Sequence, residues 1–210
     1  MALNLHIMIE TKRLKIIPLE EKHLENLRQM RNDPTTNHWL TDIMPISEEA
    51  QKEWFKKLQL DKSRTYLAIE SNIKSTTIYG YTYSSSFIGI LRSDKWDRVN
   101  RSVRIGIDIA KEHRGQGYGT EAFGAFIDYL FKQQNMNRLW FLVAEENKIA
   151  QKLYKKLGFK EEGKQREALF RDGKYHDYLM FSLLEGEWSF GKLRIKSSFA
   201  KGFGRAKKNE

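Results

Sequence analysis

Polar and apolar positions along the chain change period several times. In TKRLKIIPLE, Leu14 and Ile16 alternate with Arg13 and Lys15, the two-residue period of a half-buried strand, and Pro18 ends the pairing. From Glu20 to about Arg31 the period lengthens. Leu24, Leu27 and Met30 fall three apart on one helical face, and Asn32-Asp33-Pro34 stops the helix. Ser47 is placed to cap a second helix to about Leu60, with Glu48 and Glu49 complementing the dipole of its first turn. Arg64–Glu70 has the aromatic and β-branched bias of a strand, whereas 71–86 has no clear period and predicts a loop or an edge strand. Phe87–Leu91 and Val99–Ile109 predict two strands joined by a polar turn around Ser93–Arg98. After Gly115–Gly119 a helix runs to about Gln133, with Ala122, Phe123, Phe126 and Leu130 at three-and-four spacing. A strand at about Arg138–Ala144, a helix over Lys148–Leu157, and strands at about Phe159–Phe170 and Tyr175–Leu184 complete the pattern. Strands and helices that alternate and then close in a hairpin predict an α/β fold, a mixed sheet of about six to seven strands with helices on both faces.

A length of 210 residues suits one domain, here residues 1–190, followed by a basic and flexible tail over 191–210. The chain has no cysteine, which excludes disulfides, thiolate nucleophiles and Cys-ligated metals and fits a reducing cytoplasm. Its five histidines lie far apart with no ligand-like spacing, so no metal is expected. No run of about 18 apolar residues and no signal-like start is present, so neither membrane insertion nor export is expected. The net charge of +10 is concentrated: Lys192–Glu210 carries +6 and the rest of the chain only +4.

Candidate chemistry centres on Ile107–Ala122, a strand, a glycine-rich turn and a new helix. Glycines admit close backbone approach, and the free N–H groups and dipole of a helix start favour an anion such as a pyrophosphate. No Gly-Lys-Ser/Thr follows, and a third dinucleotide glycine would fall at Thr120, so this is neither a P-loop nor that fingerprint. The pattern Ile109…Arg114-Gly115-Gln116-Gly117-Tyr118-Gly119 resembles the acetyl-CoA signature of the GNAT N-acetyltransferases, and Asn147-x-x-Ala150-x-x-x-Tyr154-x-x-x-Gly158-Phe159 resembles a second element of that family. The ending, from Glu162 through Asp172-Gly-Lys-Tyr to Glu187-Trp188, is similar to the branch holding ribosomal-protein N-terminal and spermidine acetyltransferases. The likeness covers roughly residues 10 to 188.

The resemblance implies a GNAT fold and an acyltransferase that moves an acetyl group from acetyl-CoA to a primary amine by direct attack in a ternary complex. It implies that the Ile109 and Lys111 amides meet the pantetheine and acetyl end. The backbone of Arg114, Gly115, Gln116, Gly117, Tyr118 and Gly119 would hold the pyrophosphate. Asn147 would bond the pantetheine arm, and Tyr154 would protonate the leaving sulfur. Taken singly, Tyr154 reads as a core aromatic and Asn147 as a helix cap; their joint spacing with Gly158-Phe159 favours the functional roles.

One position departs from the family pattern. Arg104-Ile-Gly-Ile stands where many relatives have Glu-Ile-Gly-Ile, so the base is open among Asp108, Glu145, Glu146 and a water chain. Arg104 could instead attract an anionic group, which disfavours polyamines. The acceptor is expected beside the early helices, with His38, Trp39 and Asp42 as candidate wall residues. Its chemistry is that of an amine-bearing small molecule or a protein N-terminus, and a homodimer is left open. Two other classes compete: an RNA- or ribosome-associated protein acting through weak contacts of the basic tail, and an acetyl-CoA-binding protein without catalysis.

Overall fold

The computed structural model describes residues 9–40, 43–72, 77–78, 81–82, 87–189 and 197–199. In chain order the elements are β1 (Ile9–Thr11), β2 (Leu14–Pro18), α1 (Leu24–Asn32), α2 (Pro34–Asn37), α3 (Glu48–Leu60), β3 (Thr65–Ser71), β4 (Thr77–Ile78), β5 (Tyr81–Thr82), β6 (Phe87–Asp97), β7 (Ser102–Ile109), α4 (Tyr118–Lys132), β8 (Arg138–Ala144), α5 (Lys148–Lys156), β9 (Lys160–Arg171), β10 (Lys174–Leu184) and β11 (Ser197–Phe199). Nine of these strands form one sheet in the order β11-β1-β2-β3-β6-β7-β8-β10-β9, and β4 and β5 pair separately.

The mixed α/β architecture agrees with the hydrophobic pattern, but the strand count exceeds the expected six to seven. The first predicted strand is β2, and an unpredicted strand, β1, precedes it: the Thr11 hydroxyl accepts the Leu14 N–H at 3.0 Å, and this local bond turns the chain between the two. Ser197–Phe199, inside the segment expected to be a flexible tail, pairs antiparallel with β1. The rest of 190–210 lies outside the described residues.

The predicted turn at Ser93–Arg98 is also displaced. Strand β6 continues through Asp97, and the turn is built at 97–101, where Asp97 Oδ1 accepts the Asn100 N–H at 2.7 Å and Arg101 takes φ +53°. Polar residues of that stretch are instead cross-strand partners of β7, Ser93 opposite Ile105 and Asp94 opposite Arg104.

Each sheet face has its own apolar cluster. Phe123, Phe126, Phe141, Phe159 and Phe181 pack with α4 and α5 on one side, and Leu24, Leu27, Met30 and Phe55 of α1 and α3 cover Ile17, Ala68 and Ile90 on the other. Burying such a side chain stabilises the fold by about 1.5–3 kcal/mol. Among the described residues no helix is long and apolar enough to cross a membrane.

The feature that positions the site is an interrupted pairing. β7 and β8 are the one parallel pair among the described neighbours, and their register covers only Ser102–Arg104 against Arg138–Trp140. β7 nevertheless runs on to Ile109 and β8 to Ala144. A notch therefore opens in the middle of the sheet.

Candidate active site

The backbone at the notch follows from strand geometry. Ala110 donates its N–H to Ile88 O at 2.9 Å, so in this antiparallel pair the even-numbered residues of β7 bond to β6. Ile107 and Ile109 direct their N–H groups the other way, toward β8 beyond the point where its pairing with β7 ends.

The glycine-rich loop follows at once. Gly115 has φ +74°, and Gly117, at φ +83°, is the residue on which α4 begins. The first bond of the helix runs from Glu121 N–H to Gly117 O at 3.1 Å. The N–H groups from Gly115 to Thr120 have no hydrogen-bond acceptor among the described residues. Several unpaired donors at the start of a 15-residue helix form an anion cradle. Ile109, Gly119 and Leu153 meet here: a Cβ added at Gly119 would lie 3.6 Å from Ile109 Cγ1 and 3.7 Å from Leu153 Cδ2.

Side chains brace this loop from outside. Arg13, between β1 and β2, donates Nη1 to Gln116 O at 3.0 Å and Nε to Glu121 Oε2 at 2.7 Å, and its guanidinium lies 4.4 Å from the Tyr118 ring centroid. Glu121, only 8% exposed, also accepts from the Thr11 hydroxyl at 2.6 Å and the Arg13 N–H at 3.0 Å. Burial pushes its carboxyl up, but the bonds from Thr11 and Arg13 outweigh this and hold it below the usual range. Arg13 escaped the sequence reading because its partner lies 108 positions away.

Arg114 spends its guanidinium on protein: Nε donates to Ile109 O at 2.9 Å, Nη1 to Thr35 Oγ1 at 2.9 Å, and Nη2 to Thr36 Oγ1. Gln116 Nε2 donates to Glu112 O at 2.8 Å, Lys111 Nζ sits 3.8 Å from Asp33 Oδ2, and Tyr118 meets His113 edge-on at 6.1 Å. These contacts make the side chains a frame for the backbone donors.

Tyr154 projects from α5, and Asn147 stands at the start of that helix. Asn147 Oδ1 accepts the Ala150 N–H at 3.1 Å and so caps the helix. Tyr154, 8% exposed, stands among Phe141, Phe123, Phe159 and Phe181, with 3.9 Å between its ring centroid and that of Phe141. Burial pushes its hydroxyl above the ordinary tyrosine value, with Arg92 pulling it back and Asp108 adding to the rise. The Arg92–Asp108 ion pair thus lies within electrostatic reach of the Tyr154 hydroxyl.

The three candidate bases separate clearly. Glu145 pairs with Lys164 at 3.6 Å and Glu146 bonds His176 Nδ1 at 2.7 Å, both at the outer hairpin. Asp108 alone faces the strand surface beside the notch, paired with Arg92. On that surface Arg104 makes a two-pronged bond to Asp94, a residue the sequence reading did not single out. A Cβ at Gly106 would lie 2.8 Å from Arg92 Nε, so the glycine makes room for that guanidinium. Tyr66, opposite Arg92, meets Trp54 of α3 edge-on at 5.1 Å, and the Arg31 guanidinium lies 6.0 Å from the Trp54 ring.

Of the proposed wall residues, His38 and Trp39 stack edge-on at 4.6 Å, and Arg171 ties this loop to the β9–β10 turn by donating Nε to His38 O at 3.1 Å. Asp42 lies outside the described residues.

The sequence profile of the family described as the acetyltransferase (GNAT) domain matches residues 13–160. A putative ribosomal N-acetyltransferase of Bacillus subtilis is 38% identical over 109 residues, which span 52% of this chain and 60% of that relative's length. Spermidine N(1)-acetyltransferase of Vibrio cholerae is 25% identical over 167 residues, 80% of this chain and 88% of the relative. The crystal structure of spermidine N-acetyltransferase from Vibrio cholerae in complex with CoA and spermine superimposes with a TM-score of 0.72 at 24% identity, covering 83% of this chain and 96% of that one. The match over residues 13–160 takes in the glycine-rich loop, β7, β8, Asn147 and Tyr154, and the chain belongs to the GNAT acetyltransferase family and is by that membership an acyltransferase.

Proposed function

We propose that this chain transfers an acetyl group from acetyl-CoA to a primary amine by direct attack within a ternary complex. The observation that carries the reading is the run of unpaired N–H groups from Gly115 to Thr120 beside a notch in the sheet. Bound acetyl-CoA supplies an acyl group activated as a thioester. The loop donors and the α4 dipole hold the pyrophosphate, and the Ile109 and Lys111 amides donate to the pantetheine and acetyl end. Asn147, its Oδ1 occupied by the cap, keeps Nδ2 to donate to the same arm.

An alkylamine is mostly protonated near neutral pH, so the attacking nitrogen must first lose a proton. Asp108 accepts it, directly or through water, with Arg92 steadying the carboxylate. Tyr154 donates its hydroxyl proton to the departing sulfur. Its raised pKa keeps that proton in place throughout the working pH range.

The charge on the strand surface selects among acceptors. Asp94 and Asp108 are each matched by an arginine, which leaves little uncompensated negative charge for a polycation. An N-terminal amine of a protein or peptide, or an amino sugar, fits this surface better than a polyamine, and the likeness to a putative ribosomal N-acetyltransferase supports the first. The basic tail serves as a weak RNA contact, to be read as salt-sensitive binding weakened on deleting residues 200–210, which leaves β11 in place, with acetyl transfer intact.

Calorimetric titration with acetyl-CoA, followed by a thiol-release screen against N-terminal peptides, amino sugars and spermidine, tests the reading. Micromolar binding with release on one monoamine class is expected. No acetyl-CoA binding would overturn it, and spermidine as the best acceptor would overturn the acceptor assignment.

A further inference from the structure

A second pocket lies on the opposite face of the sheet, away from the notch. It measures about 140 Å³ and opens between the C-terminal half of α4 and strands β3 and β6. An apolar cavity of about 150 Å³ holds one benzene ring, so this pocket has room for a single-ring ligand.

Its floor is apolar, with Leu67, Phe126 and Leu130, and its sides carry Trp96 and Tyr129. Ser93 lines it too, 1% exposed, and its hydroxyl has no hydrogen-bond partner among the described residues. A buried hydroxyl left unpaired is costly, and a polar ligand atom at that depth would satisfy it. The rim is cationic. Lys62 and Arg98 both line the pocket, and the Arg98 guanidinium lies 4.3 Å from the Trp96 ring centroid, which presents its charge at the mouth. Gln134 donates Nε2 to the Tyr129 hydroxyl at 2.7 Å and fixes the position of that ring.

We propose that this pocket binds a small aromatic carboxylate, with the ring on the Leu67–Phe126–Leu130 floor, a polar substituent at the Ser93 hydroxyl and the carboxylate between Lys62 and Arg98. A buried hydroxyl, apolar side chains and two exposed cations around one pocket match a ring that carries a polar substituent and a carboxylate. The site is distinct from the acetyl-transfer site, yet mechanically close to it. Ser93 sits on β6 between Arg92 and Asp94, whose side chains belong to the other face and form the ion pairs with Asp108 and Arg104.

Amide chemical-shift mapping on the full chain with 4-hydroxybenzoate, benzoate and neutral 4-hydroxybenzyl alcohol tests the assignment. Saturable shifts centred on Ser93, Trp96 and Tyr129 are expected, with 4-hydroxybenzoate binding at least about 5-fold tighter than either analogue. Ser93→Ala should keep the melting temperature of the protein alone or raise it, while removing the advantage of 4-hydroxybenzoate over benzoate. Arg98→Gln should weaken both acids and leave the alcohol unchanged. The proposal is overturned if none of the three probes shifts these amides, if the alcohol binds as well as the acids, or if both variants bind 4-hydroxybenzoate like the parent.

Discussion

The guanidinium of Arg104 grips the carboxylate of its cross-strand neighbour Asp94 at two points, Nε to Oδ1 at 2.6 Å and Nη2 to Oδ2 at 2.5 Å. The acid that the family pattern puts on β7 is thus replaced by a base, and an acid stands across from it on β6. The pair is partly exposed, so its effect is on recognition more than on stability.

Arg104→Ala should release Asp94 and turn a neutral patch into an acidic one. The KM for spermidine is expected to fall by about 5–10-fold, the effect of one added charge at moderate dielectric, with acetyl-CoA affinity unchanged. A KM that does not move would separate this surface from acceptor choice.

Tyr154→Phe removes one oxygen from an otherwise aromatic nest. Turnover should drop by about 10–10³-fold while the Kd for acetyl-CoA holds, as expected for loss of an acid that acts after binding. Turnover equal to that of the parent would exclude Tyr154 from proton transfer.

Asp108→Asn preserves shape and removes the charge beside the notch. A fall in kcat of about 10²-fold or more is expected, with the Kd for acetyl-CoA unchanged. Retention of the parent rate would return the role of base to water.

Gly117→Ala asks a side chain to adopt φ +83° with its Cβ 3.3 Å from Arg13 Nη2. Strain of about 1–2 kcal/mol and a loosened α4 start should weaken acetyl-CoA binding. Gly117→Asp should weaken it further by setting a negative charge against the phosphates, and unchanged affinity in both variants would refute the cradle.

Glu121→Gln tests the brace behind the loop. Its carboxyl is held below the usual range in the folded chain, so its stabilisation is complete above the unfolded value near 4.5 and fades as pH falls through the lower folded value. Urea unfolding at neutral pH should show a loss of about 2–4 kcal/mol, and the acid-side decline of the variant should be shallower than that of the parent.

The sequence carried the parts of the site that are local and missed those that are not. Gly115–Gly119 and the Asn147–Tyr154–Phe159 spacing are each set within one loop or helix, so their geometry follows from 3.6 residues per turn and from φ values that favour glycine. Asn147 was readable both as a cap and as a ligand, and its two amide atoms allow both. The Ser93–Arg98 stretch was misread as a turn because polarity counts against a strand until cross-strand neighbours are known. Once Ser93 and Asp94 stand opposite Ile105 and Arg104, the same residues fit a sheet. Arg13 and Glu121 could not be paired from the sequence, since no periodicity connects a strand start to a helix 108 residues later.

The shortness of the β7–β8 register has a consequence for the sheet as a whole. Three residue pairs join its two halves, and beyond them the amides of Ile107 and Ile109 line an internal edge with no strand beside it. An extended chain carrying its own amide groups, laid along that edge, stands in for the missing strand. On the proposed function, loading with acetyl-CoA would act as strand completion: hydrogen exchange at Ile107 and Ile109 should slow when the chain is loaded, and the two leaves of the sheet should then move as one.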